Sequence, residues 1–180
     1  MGEIKSTLDL VMERTRNLTL SMKEKEGQQN ADLKKRLTGL AQKYEDQIIK
    51  LTEFIDMLNE LKKTFGPKVE NRMVDEILDR IRVETDNDRY MELLTNHFGV
   101  EIPALKAIQS EFSQALQKKK VNHIDKMKTR LSDQHGISGT AVIPNIENDP
   151  AWQKKHRTLI DQFQSRLDTE KKEAVHSLNP

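Results

Sequence analysis

The longest apolar pattern in the chain is a heptad stripe between Leu33 and Phe65. Its positions alternate in steps of four and three residues, and only Gln47 and Tyr44 interrupt their apolar character: Leu33, Leu37, Leu40, Tyr44, Gln47, Leu51, Phe54, Leu58, Leu61 and Phe65. This spacing places the side chains on one side of an α-helix, as in a coiled-coil seam. A helix of this length would run about 50 Å, because each residue adds about 1.5 Å. Short helices could not cover it, so we expect equally long partner helices from the same chain or from a second copy.

Residues typical of helix ends divide the rest of the chain. Gly27 lies in a polar break between two apolar stripes. Gly66 and Gly136 each follow the end of a stripe, and Pro103 and Pro150 each precede the start of another. Proline favours the first turn of a helix, and glycine favours the position after the last turn. The sequence therefore predicts helices at about 4–25, 31–65, 68–84, 88–98, 103–135 and 150–176.

The composition indicates long amphipathic helices with a large exposed surface. Charged residues make up 33% of the chain, hydrophobic residues 35% and aromatic residues only 4%, which is unlike a compact sheet protein. No Gly/Pro/Ser-rich linker divides the 180 residues, so one domain over 1–180 is predicted. We expect an all-α fold, an elongated antiparallel bundle with coiled-coil-like long helices, which self-associates as a homodimer along the stripe.

The absence of cysteine, of a signal peptide and of long apolar runs indicates where the protein is expected to be. The absence of cysteine excludes disulfides, thiolate metal sites and a thiol nucleophile. The residues after Met1 form no apolar signal core, and no apolar run approaches the roughly 18 residues of a membrane span. The sequence therefore predicts a soluble cytoplasmic protein that does not associate with membranes.

The segment at 136–149 combines β-branched apolar residues with no helical period. Connections of this length without their own helix are uncommon and are often functional. The segment could be an extended strap packed on the bundle, which we favour, or an arm that pairs with another chain. Trp152 follows it and could be an anchor for a partner or part of the core. The candidate partner-binding residues are Ile137, Val142, Ile143, Ile146 and Trp152.

The densest basic stretch of the chain lies at 118–130. Its cations are Lys118, Lys119, Lys120, Lys126, Lys128 and Arg130, which are candidate phosphate contacts. The net charge of the whole chain is only +1, and no aromatic residue alternates with these lysines. These two observations favour a solvated helix face over a nucleic-acid site.

The chain carries no recognised catalytic motif. The residues from Gly136 to Gly139 match neither a nucleophile elbow nor a phosphate-binding loop. The five histidines lack the spacing of a zinc site, and a single Glu173-x-x-His176 cannot build a di-iron site. No catalytic residue, cofactor or metal site is predicted.

A resemblance to a known family rests on two stretches, GEIKSTLDLVMERT at residues 2–15 and the connection from Gly136 to Asn145. Together they resemble a family of bacterial helical proteins of unknown function, over most of the chain. The resemblance implies a bacterial, cytoplasmic origin. It supplies no activity, substrate or catalytic residue.

These observations favour a non-enzymatic helical scaffold or protein-interaction protein, in which the bundle positions 136–149 for a protein partner. An alternative is association with nucleic acid through the basic stretch 118–130. A second alternative is an enzyme whose site is assembled only in the tertiary structure.

Overall fold

Most of the chain is helical in the part that the structure describes. The computed structural model describes the backbone of residues 22–178 and the side chains of residues 23–175. It contains six α-helices and, within those residues, no strand: α1 Met22–Glu45, α2 Leu51–Phe65, α3 Lys68–Arg80, α4 Asp88–Asn96, α5 Pro103–His135 and α6 Pro150–Leu178. The predicted all-α class is therefore confirmed for this range. None of these helices is long and apolar enough to cross a membrane.

The helix predicted at 31–65 is wrong at its centre, because the chain turns at residues 46–50. Gln47 has a φ of 59°, a left-handed conformation that costs most residues about 1–2 kcal/mol. The backbone N–H of Ile48 donates to the carbonyl of Lys43 at 2.9 Å, which closes the last turn of α1. The heptad spacing continues through the turn, so the stripe belongs to two helices rather than one.

Those two helices form an antiparallel hairpin. The rings of Tyr44 and Phe54 lie 5.0 Å apart, while the guanidinium of Arg36 lies 5.8 Å from the centre of the Phe65 ring. The end of α1 thus meets the start of α2, and the middle of α1 meets the end of α2. Folding back lets the two parts of the stripe face each other, so its length no longer requires a second copy.

The break predicted around Gly27 is also wrong, since α1 continues through it. A glycine inside a helix costs about 0.5–1 kcal/mol relative to alanine, which weakens a helix without ending it. Residues 22–25 of the predicted first helix belong to α1. Its remaining residues, 4–21, lie outside the described part of the chain.

The chain divides into two compact units, the first ending at Arg72 and the second beginning at Met73. The single domain expected from the sequence stays a prediction. In the second unit, α5 and α6 are antiparallel. The Phe112 and Phe163 rings lie 5.6 Å apart, and Glu111 pairs with Arg166 at 2.9 Å.

The loop at 81–87 ends α3 earlier than the predicted residue 84. Its buried Asn87 side chain donates to the carbonyls of Arg82 at 2.6 Å and Thr85 at 2.9 Å. Gln109 of α5 also donates to the Thr85 carbonyl at 3.0 Å, and the Val83 N–H donates to Gln164 of α6 at 3.2 Å. These bonds hold the loop against Gln109 near the start of α5 and against Gln164 of α6.

Two leucines of α2, one heptad apart, test the hairpin. Leu58 is 2% exposed, whereas Leu51, which the heptad pattern places in the core, is 43% exposed at the turn. We expect Leu58→Ala to lower the free energy of unfolding by about 2–5 kcal/mol, because it leaves a cavity. The matched Leu51→Ala should cost less than about 1 kcal/mol, since less apolar surface is lost. Urea denaturation followed by circular dichroism measures both, and equal losses would contradict the turn at 46–50.

Candidate functional site

The connection at 136–149 forms neither helix nor strand, and only part of it is packed. Pro144 and Ile146 are buried, and Val142 is half-buried. In contrast, Ile143 is 87% exposed and Ile137 is 49% exposed. The residues from Pro144 onward therefore form a strap. The tip of the connection, defined here as residues 137–143, remains open to solvent.

Both ends of the connection are held by hydrogen bonds. Gly136 caps α5 with a φ of 65°, and its N–H donates to the Ser132 carbonyl at 3.0 Å. At the other end, a carboxylate oxygen of Asp149 accepts from the Ala151 N–H at 3.1 Å, which caps the first turn of α6.

Asp149 also pairs with a buried histidine on α5. Its second oxygen, Oδ2, lies 2.6 Å from Nε2 of His123, whose side chain is 7% exposed. The hydrogen bond from His123 holds the pKa of Asp149 below its ordinary value, with a further contribution from the Ala151 N–H. The pair joins the end of the connection to the middle of α5.

The second ring nitrogen of His123 is occupied as well. Lys155 Nζ lies 3.4 Å from Nδ1 of His123. A lysine ammonium can only donate, so in this arrangement Nδ1 accepts and Nε2 carries the proton shared with Asp149. His123 is buried and contacts Asp149 and Lys155 through its two nitrogens, an arrangement that fits an anchor between α5 and the start of α6.

Aromatic contacts enclose the anchor. The Trp152 ring lies 5.5 Å from the His123 ring and stacks on His156 at 5.8 Å with an interplanar angle of 5°. Trp152 is 3% exposed. As candidate partner contacts, Trp152 and Ile146 lie in the core, whereas Ile143 and Ile137 reach solvent.

The antiparallel hairpin gathers cations from both of its helices. Lys118, Lys119, Lys126 and Arg130 are exposed; Lys120 lies 3.8 Å from Glu147 of the connection, and Lys128 is half-exposed. The first turns of α6 add three exposed cations to the same end: Lys154, Lys155 and Arg157. Sequence reasoning identified only the α5 members, because the α6 cations are distant in the chain.

A buried lysine, Lys171, lies at the other end of the hairpin. Its Nζ donates to the Ile81 carbonyl at 2.6 Å and lies 3.3 Å from an Asp168 oxygen. Burial lowers the pKa of Lys171, and the bond to Asp168 opposes that shift. The amine borders an open groove of about 920 Å³, which Asp79 and Arg82 also line.

Lys171 is explained by the helix it contacts. Ile81 follows α3, and the last carbonyls of a helix carry a partial negative charge that a cation stabilises. The role of Lys171 is not among the sequence-based predictions. The sequence does carry one sign of it. In the apolar stripe of α6, the position between Leu167 and Ala174 is occupied by this lysine instead of an apolar residue.

Within the described residues, no group of three or more histidine, aspartate or glutamate side chains could hold a metal ion. Comparisons with family models, curated proteins and solved structures found no match to the chain. The bacterial origin implied by the resemblance stays a prediction. The interpretation of the site therefore rests on its own geometry.

Removing His123 tests the anchor. We expect His123→Ala to lower the free energy of unfolding by more than about 1 kcal/mol, because it leaves a cavity where the buried imidazole packs beside Trp152 and removes the partner of Asp149. His135→Ala is the matched control, since His135 is exposed in the last turn of the same helix. It should change stability by less than about 0.5 kcal/mol, as is usual for surface positions. Urea denaturation compares the two variants, and equal effects would contradict the anchoring role.

The Asp149 pair also predicts a dependence of stability on pH. The pKa of Asp149 is lower in the folded chain than its ordinary value of 3.8, so the unfolded chain takes up the proton first as pH falls. The stabilisation is therefore complete above 3.8 and is lost as pH falls further, toward the folded pKa. Asp149→Asn should remove this contribution, so wild type and variant should converge under acid conditions. Urea midpoints across the acid range measure it, and a constant difference would refute the assignment.

Proposed function

We propose that this chain is a non-enzymatic helical interaction protein that binds a protein partner through the tip of the connection at 136–149. The observation that supports this most directly is the 87% exposure of Ile143 in a segment held at both ends. Fully burying an isoleucine side chain is worth about 1.5–3 kcal/mol, so a partner that covers it gains affinity.

The anchored ends make the tip suitable for binding. The Ile137 N–H donates to the Leu131 carbonyl at 3.1 Å, and the Asp149 N–H donates to the Ile146 carbonyl at 3.0 Å. Between them, the Val142 N–H donates to the Gly139 carbonyl at 3.3 Å, which forms a local turn. A segment ordered before binding loses less conformational entropy when the partner arrives.

We also propose that the chain forms a homodimer in the cytoplasm. Exposed apolar residues outside the connection supply contact area for it: Leu51, Met57 and Val121. An elongated antiparallel bundle with coiled-coil packing remains the proposed architecture, and the two antiparallel hairpins support it.

Nucleic-acid binding is the second candidate, because the hairpin adds Lys154, Lys155 and Arg157 to the basic stretch of α5. Such a patch suits contacts with phosphates. The only tryptophan, Trp152, is buried and offers no face on which a base could stack. The exposed isoleucines therefore favour a protein partner.

Placing a charge at the tip tests the proposal. We expect Ile143→Asp to reduce capture of the native partner at least about tenfold, because a buried charge opposes apolar contact. Ile48→Asp is the matched control, since Ile48 is a 69% exposed isoleucine in the first unit. Pull-downs from the native cells, quantified by mass spectrometry with and without nuclease, measure both variants.

The result distinguishes the candidates. Equal capture by both variants would exclude the tip as the binding site. Loss of the captured material after nuclease treatment would favour the nucleic-acid alternative.

A further inference from the structure

The connection contains a short extended segment whose side chains alternate between the core and solvent. Residues 142–146 form no helix, turn or bend, so the backbone continues in one direction. Its side chains alternately pack inward and stand exposed, in the order Val142, Ile143, Pro144, Asn145 and Ile146. A period of two residues is the pattern of a β-strand with one face on a core. The extended segment therefore has the side-chain pattern of a strand, but no strand pairs with it in the described part of the chain.

The backbone groups of an extended segment alternate as well. The N–H and the carbonyl of one residue point to the same edge, and those of the next residue point to the opposite edge. Ile143 and Asn145 thus share one edge of the segment. The other edge belongs to Val142, Pro144 and Ile146. A further strand could pair with one edge or with the other.

The edge that carries Val142, Pro144 and Ile146 is closed to pairing. The Val142 N–H donates to the Gly139 carbonyl at 3.3 Å, and the Ile146 carbonyl accepts from the Asp149 N–H at 3.0 Å. Proline has no N–H, so Pro144 offers no donor. A strand added at this edge would meet a missing or an occupied group at each of the three residues.

The edge that carries Ile143 and Asn145, named here the open edge, is available. Within residues 22–178, neither of these two residues forms a hydrogen bond through its N–H or its carbonyl. Both are exposed, so a partner can reach them. Unpaired backbone groups on an exposed edge are a template for an added strand. Two residues with free donors and acceptors on one edge match two hydrogen-bonded pairs of an antiparallel ladder.

We propose that the protein partner binds by strand addition, laying an extended stretch of its own chain along the open edge with an apolar β-branched side chain opposite Ile143. This inference rests on the proposed function and specifies its binding mode. Backbone hydrogen bonds set the register, and the side chain opposite Ile143 supplies the apolar contact, because residues paired across two strands lie on the same face.

A different protein fits the open edge better than a second copy of the segment. Two copies paired antiparallel about Pro144 would satisfy the same backbone groups, with Ile143 of each opposite Asn145 of the other. That arrangement places an isoleucine against an amide and gives Ile143 no apolar neighbour across the strands. The segment also carries no charged residue, so it offers no contact for the phosphates of a nucleic acid.

A synthetic peptide tests the open edge directly. The probe is the heptapeptide amide Lys-Thr-Val-Thr-Val-Thr-Lys, whose valines can lie opposite Ile143 and Asn145. In that register the valine N–H groups point at the open edge and the threonine N–H groups point away from it. N-methylation of both valines should weaken binding at least about tenfold, because it removes the donors to the open edge. The matched control is N-methylation of the outer threonines, which should leave the affinity within about threefold.

The same edge can be blocked on the protein. Asn145→Pro removes one N–H from the open edge, and Asn145→Ala is the matched control, since it removes the same side chain and keeps the N–H. Asn145→Pro should weaken binding of the probe at least about fivefold, while Asn145→Ala should stay within about twofold of wild type. Fluorescence anisotropy of the labelled probe measures the affinities, and circular dichroism with urea midpoints checks that both variants are folded.

The outcomes separate this inference from the proposed function. No binding of the probe at about 1 mM, or equal affinities within either matched pair, would overturn strand addition. Capture by Ile143→Asp would still decide whether the tip binds a partner. The expected peptide results with unchanged capture by Ile143→Asp would support the open edge and overturn the proposed function. Weaker self-association of Asn145→Pro than of wild type in analytical ultracentrifugation would assign the edge to a second copy and overturn the choice of partner.

Discussion

Antiparallel packing of consecutive helices organises both units of this protein. In the first unit it covers the apolar stripe of α1 with that of α2, through contacts such as Tyr44 on Phe54. In the second it brings α6 back along α5, with Phe112 against Phe163 in the middle of the hairpin. Every feature considered for function depends on this return of the chain. The His123–Asp149 pair, the tip of the connection and the collection of cations at one end all require residues from two helices that are far apart in sequence.

The sequence contained enough information for the helix boundaries that special residues define. Pro103 and Pro150 begin α5 and α6, and Gly136 ends α5, because each residue type fits only a few backbone conformations. The turn at 46–50 could not be found this way. It contains no glycine or proline, and the heptad spacing continues across it, since both helices place their apolar side against the same core. Gln47, a polar residue inside the stripe, was the single local sign.

The candidate site was predicted only in part for a related reason. Exposure of Ile143 beside the burial of Ile146 depends on how the connection crosses the hairpin, which residue type alone does not determine. The pairing of His123 with Asp149 joins residues 26 positions apart, and no local spacing indicates it. Lys171 could have been suspected, because it occupies an apolar step of a regular stripe. Its partner, the Ile81 carbonyl, is a backbone atom, and backbone partners leave no trace in a sequence.

The hydrogen bonds that hold both ends of the 136–149 connection have a practical consequence for engineering. Gly136 and Asp149 tie the segment to α5 and α6 independently of the residues at its tip. The backbone around Thr140 and Ala141 is exposed and takes no part in packing the helices. A foreign peptide grafted there would be displayed between two fixed points, so the hairpin offers a ready-made stem for presenting epitopes or affinity tags.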